Sequence, residues 1–218
     1  MAGEKGQMTL GPDTPPTGEE VQQRGAEGVN LAKRWLESTC RAEVKWNNPT
    51  KETSKLQFVK ASAPNPPTLM EHCFSFDLGG LLIGGDTDGK VFLAEVKSGE
   101  TNANHGTEYR AFLAKSYRAK QIAPAFYDYF LWITWVPFLS SKWPELLTGE
   151  YVKESVESNE STRGIALGAE PTADGELCTW VAACTMIVVL SDRQIEVLSL
   201  QRDEASHVRE SLLKLRGE

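Results

Sequence analysis

Residues 74–99 read FSFDLGGLLIGGDTDGKVFLAEVKSG. Two apolar runs flank a glycine-rich turn, which is the pattern of a β-hairpin. The spacing predicts one strand from about Glu71 to Ile83, a turn over Gly84–Gly89, and a second strand from about Lys90 to Lys97. Side chains alternate across a strand, so Glu95 and Lys97 share a face. A turn centred near residue 86 or 87 sets Asp77 opposite Glu95 or Lys97, on that same face. Three charges therefore converge at one end of an otherwise apolar hairpin. Burying charge is unfavourable unless something compensates it. A divalent cation would relieve the repulsion between two adjacent carboxylates. Mg²⁺ takes oxygen ligands and keeps several waters, so one or two carboxylates suffice, and the Val96 carbonyl adds a further oxygen. The competing reading is a cross-strand ion pair at a solvated sheet end, which contributes little.

The rest of the chain places this hairpin in a mixed α/β domain. Residues 1–17 are rich in Gly, Pro and Thr and read as a disordered tail. Val21, Val29, Ala32 and Leu36 fall on one helical arc, which predicts a helix from Gly18 to about Thr39, capped by Thr17 and Glu20. Residues 47–69 read as loop with one extended piece at Leu56–Val59. A helix is expected over 105–123, then a strand buried on both faces over Tyr127–Val136, then a helix over Trp143–Val156. Ser158–Glu176 reads as a long flexible acidic loop. Val181–Leu190 and Ile195–Leu200 read as a second hairpin, and Ala205, Val208, Leu212 and Leu215 mark a final helix. The expectation is one domain over 18–218, with a core at about 18–136 and a C-terminal elaboration of hairpin and helix over 137–218.

Composition restricts the function classes. The formal net charge is −7, with 23 Lys and Arg against 30 Asp and Glu, which argues against binding nucleic acid through overall basic charge. The imbalance is local: residues 143–176 hold eight acidic and two basic residues, whereas 97–123 hold five basic and two acidic. No run is long and apolar enough to span a membrane. The N-terminus lacks the apolar segment of a secretory signal. The four cysteines form no C-x-x-C pair. A cytoplasmic protein with reduced thiols is expected.

The segment resembles the PD-(D/E)XK nuclease superfamily, the restriction-endonuclease-like fold. That family carries an acidic residue, a hairpin, then E-x-K at the end of the next strand. Asp77 matches the first acid, Glu95 the second and Lys97 the lysine; Phe76 stands where the family name implies Pro. The resemblance covers about residues 18–136 and implies a central mixed β-sheet flanked by helices, in the order helix, three strands, helix, strand. It implies Mg²⁺ or Mn²⁺ held by Asp77, Glu95 and the Val96 carbonyl, with Lys97 acting on the attacking water. Many members add a glutamate from the first helix, for which Glu27 is the first choice and Glu20 the reserve. The helix after the lysine often meets the nucleic-acid backbone, which makes Tyr109, Lys115, Tyr117 and Arg118 candidates. His105 reads as a loop histidine, with phosphate contact as its alternative role. Ala42-Glu43-Val44-Lys45 repeats Ala94-Glu95-Val96-Lys97 letter for letter, but no acidic strand precedes it, and it is rejected as the site.

The expected function is a metal-dependent nuclease acting most plausibly on DNA, in restriction, phage defence or DNA processing. The alternative is a catalytically inactive nuclease-fold module that binds a protein partner or a second copy of itself.

Overall fold

The computed structural model describes residues 18–48, 53–64, 70–98 and 104–216. The proposed tail at 1–17 and its capping Thr17 lie outside these residues. Helix α1 (Gly18–Ser38) is followed by β1 (Ala42–Asn47), β2 (Gln57–Val59), β3 (Cys73–Ser75), β4 (Leu78–Leu82) and β5 (Val91–Lys97). Then come α2 (His105–Ile122), β6 (Tyr129–Thr134), α3 (Trp143–Leu146), α4 (Gly149–Glu157), α5 (Glu160–Ala166), α6 (Gly175–Ala183), β7 (Thr185–Val189), α7 (Asp192–Leu198) and α8 (Arg202–Arg216).

The main sheet is open and mixed, in the order β1-β4-β5-β6-β7, and β2 and β3 form a separate two-stranded sheet. Strands β1, β4 and β5 are antiparallel neighbours, whereas β6 runs parallel to β5 and β7 parallel to β6. The parallel pairs require crossovers: α2 supplies one and the α3–α6 helices supply the other. Helices cover both faces. Val29, Ala32 and Leu36 of α1 bury one face with Leu78, Phe92, Ala94, Val96, Leu131 and Ile133. The other face, with Val91, Leu93, Phe130 and Trp132, packs under Phe112 and Leu113 of α2 and apolar residues of α4–α6. Both faces being covered explains why β5 and β6 are apolar almost throughout. Among the described residues no helix is long and apolar enough to cross a membrane.

Four sequence expectations are corrected. The strand expected over 71–83 is two strands, because the chain changes sheets. Residues 73–75 pair with β2, the Phe76 amide donates to the Leu56 carbonyl, and β4 begins only after Asp77. The expected loop 158–176 contains α5 and the start of α6. Each has a side-chain cap: Asn159 accepts from the Thr162 amide, and Asp174 accepts from the Glu176 and Leu177 amides. The second hairpin does not form. Strand β7 leads into α7, whose first turn is capped by Ser191 accepting from the Gln194 amide. The helix expected over 143–156 is interrupted where Thr148 caps α4.

Candidate active site

The β4–β5 register pairs Leu78 with Ala94 and Gly79 with Leu93, which sets Asp77 opposite Glu95. The Asp77 amide donates to the Ala94 carbonyl at 2.9 Å, so Asp77 is the first residue held by the β5 ladder. Alternation turns Val91, Leu93, Glu95 and Lys97 toward α2, and turns Phe92, Ala94 and Val96 toward α1. By the same alternation Asp77 shares the α2 face with Gly79 and Leu81. Asp77, Glu95 and Lys97 thus meet at one end of the hairpin, under the middle of α2.

The side chains of Asp77, Glu95, Lys97, Glu108 and Lys115 form a tight network of five charges. Glu95 is 6% exposed. The Lys97 ammonium lies 3.2 Å from its Oε1, and also approaches Glu108 of α2 at 4.0 Å. Lys115, two turns from Glu108 on the same face of α2, donates to both Glu95 oxygens at 3.0 Å and to the Ser75 carbonyl at 3.2 Å. Those three acceptors use all three of its N–H groups. Asp77 Oδ2 accepts from the Val96 amide at 2.8 Å. Within a strand, one residue's amide and carbonyl point to the same side, so the Val96 carbonyl also faces the Asp77 edge.

These surroundings shift two ionisations. Burial, and then the Glu95 carboxylate, push the Asp77 carboxyl up to about 6, against the opposing pull of the Val96 amide, Lys97 and Lys115. Burial acts to lower Lys97, but Glu95, Glu108 and Asp77 outweigh it and hold the ammonium above its ordinary range. A crowded, desolvated carboxylate pair is what a hard dication would relieve.

Among the described residues no three His, Cys, Asp or Glu side chains come close enough to hold a metal ion. Two carboxylates and a carbonyl do not make a zinc cage, but they fit a largely hydrated Mg²⁺ or Mn²⁺, which needs no more protein ligands. Glu27 does not join them. It is exposed on α1, which packs on the opposite face of the sheet, and it lines a hollow with Gln23, Asn30 and Arg34. The backbone of α1 does approach the site's end of β5, where a Cβ on Gly28 would collide with the Ser98 side chain. The side chain of Glu20 lies outside what is described.

The nucleic-acid candidates are also corrected. Tyr109 is fully buried and its hydroxyl donates to the Leu146 carbonyl. Tyr117 is 2% exposed and its hydroxyl accepts from the Asp174 amide. Both belong to the core between α2 and the later helices, so neither can meet a backbone phosphate. Arg118 donates to the Val59 carbonyl, and Lys115 serves Glu95. His105 is buried, 3.4 Å from the Thr134 hydroxyl and edge-on to Trp132 and Phe138. In the first AEVK copy, Glu43 and Lys45 pair with each other on the edge strand β1, at 2.6 Å. Lys115 is the site residue whose role the sequence hid. Its spacing from Glu108, seven residues along one helix, was the available signal.

No family model matches the chain, and neither does any curated protein or solved structure.

Proposed function

We propose that the chain is a metal-dependent phosphodiesterase, a nuclease of the PD-(D/E)XK type acting on DNA. The observation that carries this reading is the convergence of Asp77, Glu95 and Lys97 at one buried strand end. The element order supports it: α1, the antiparallel β1, β4 and β5, then α2 and the parallel β6 follow the superfamily's helix, three strands, helix, strand.

Asp77, Glu95 and the Val96 carbonyl would hold Mg²⁺ or Mn²⁺. The bound ion supplies a more acidic water and neutralises charge on the scissile phosphate. Lys97, fixed by Glu95 and Glu108, stays protonated and is placed to orient that water or to stabilise charge developing on a phosphate oxygen. Trp132 stands beside Glu95 in the β5–β6 register, and Tyr109 and Phe112 pack against its buried ring.

Calorimetric Mn²⁺ titration paired with cleavage of plasmid, single-stranded DNA and RNA tests the reading. Glu95→Ala is expected to lose both metal binding and cleavage. Lys97→Ala is expected to retain metal binding while cleavage falls about a hundredfold or more, the scale of one lost electrostatic group. Cleavage undiminished in Lys97→Ala would sink the proposal. A second reading, a nuclease-fold scaffold without chemistry, draws on the Lys115–Glu95 pairing, which leaves Glu95 paired without metal. It predicts no Mn²⁺ binding and a stably co-purifying protein partner.

A further inference from the structure

Lys115 has an unusual position for a helix lysine. Its ammonium sits on both oxygens of a nearly buried carboxylate and also on the carbonyl that ends β3, with 18% of its side chain exposed. Lys97 already pairs with the same carboxylate, so Glu95 is served by two cations. With Asp77 ionised, Asp77, Glu95, Glu108, Lys97 and Lys115 sum to −1. A cluster of that sign has no attraction for a phosphodiester.

A dication cannot simply be added to this arrangement. Lys97 and Lys115 take three of the roughly four lone-pair sites of Glu95, and a cation on the one left at Oε2 would lie beside the Lys115 ammonium and be repelled. We propose that Lys115 is the site's internal counter-ion, occupying the divalent metal's side of Glu95, so that metal enters only by displacing the Lys115 ammonium from Glu95. This rests on the metal-dependent reading given above. After the exchange those five groups and the metal sum to +1, the complement of one phosphodiester. Metal loading thus converts a self-satisfied cluster into one that attracts substrate, and Lys115 keeps the buried carboxylate paired until then. Metal affinity is therefore reduced by the competition, and α2 is the element that carries the competing charge.

The test compares the wild-type protein with Lys115→Met and Lys115→Gln. Calorimetric Mn²⁺ titration is expected to show tighter binding in both variants by about tenfold, equivalent to roughly 1.4 kcal/mol. The Gln variant keeps a neutral donor for Glu95 and so guards against misfolding of the Met variant. The second measurement needs no variant. Lysine acetylation of the wild-type protein, read by peptide mass spectrometry, is expected to increase several-fold at Lys115 on saturation with Mn²⁺. Exposed Lys153 should stay constant. Folded variants that bind Mn²⁺ no more tightly than wild type, or Lys115 equally protected with and without bound Mn²⁺, would overturn the inference alone. Absence of Mn²⁺ binding in every form would overturn the metal-dependent reading together with it.

Discussion

At the scale of single residues, Asp77 carries the clearest pH signature. Its carboxyl titrates near 6 in the fold, whereas an unfolded aspartate titrates near 3.9. The folded state therefore holds this proton more tightly. The stability it contributes is fully present below about pH 4 and is lost as pH rises through about 6. Asp77→Asn removes the ionisation but keeps an oxygen for the Val96 amide. In the presence of chelator, the variant should match wild type near pH 4 and exceed it by about 2 kcal/mol at pH 7.5. Urea denaturation across that range gives the difference directly. A constant offset between the two proteins would show that Asp77 is not the group responsible. The same carboxylate that costs stability without metal is a ligand in the proposed site, a trade common where function requires charge in a dry place.

At the scale of elements, the sheet depends on a close approach that only glycine permits. A Cβ on Gly80 would collide with the Glu43 carbonyl and lie 2.9 Å from the Val44 Cα of β1. Those are backbone atoms of the neighbouring strand, which cannot turn aside as a side-chain tip can. Gly80→Ala should therefore destabilise the protein by about 3 kcal/mol, the upper part of the overpacking range, as read by urea or thermal unfolding. A loss below about 0.5 kcal/mol would mean that β1 is free to slide outward. The hairpin, α1, α2 and β6 were legible because their periodicities are strong and their lengths ordinary. The turn alone narrows the residue opposite Asp77 to Glu95 or Lys97, and the observed register selects Glu95. The joint at Phe76–Asp77 was not legible, since an apolar run carries no mark of a change of partner strand. Helices α5, α6 and α7 were missed for another reason. They span seven to nine residues, and such short helices owe their stability to caps and tertiary packing rather than to periodicity. Their caps were nonetheless written in the sequence as Asn159, Asp174 and Ser191, the last followed by Gln194 at the spacing of a capping box. The burial of Tyr117 is illegible for the same reason, since Asp174 in the expected loop covers it; Tyr109 packs instead under Leu146 and Tyr151, in a stretch expected to be helical whose docking on α2 has no mark in the sequence.

At the scale of the whole molecule, the cations of α2 are spent internally. Arg110 pairs with Glu154 of α4 at 2.9 Å, Arg118 binds the Val59 carbonyl, Lys120 binds the Tyr127 carbonyl and lies over the Trp180 ring, and Lys115 holds Glu95. The acidic stretch 143–176 is folded into helices packed against that same α2 rather than left as a loose flap. With a net charge of −7, long-range attraction for a polyanion is weak. Any nucleic-acid affinity must then arise at short range, from the metal-loaded carboxylates and Lys97. Two results should follow in fluorescence polarisation with the wild-type protein and labelled, cleavage-resistant phosphorothioate DNA. Binding should require Mn²⁺, and raising salt from about 50 to 200 mM should weaken it only a few-fold. That corresponds to about one or two phosphates neutralised, against the thousandfold or greater loss of proteins that contact six or more. A steep salt dependence without metal would contradict this account, because it would require a continuous basic groove, and the α2 cations that could line one are already engaged within the fold.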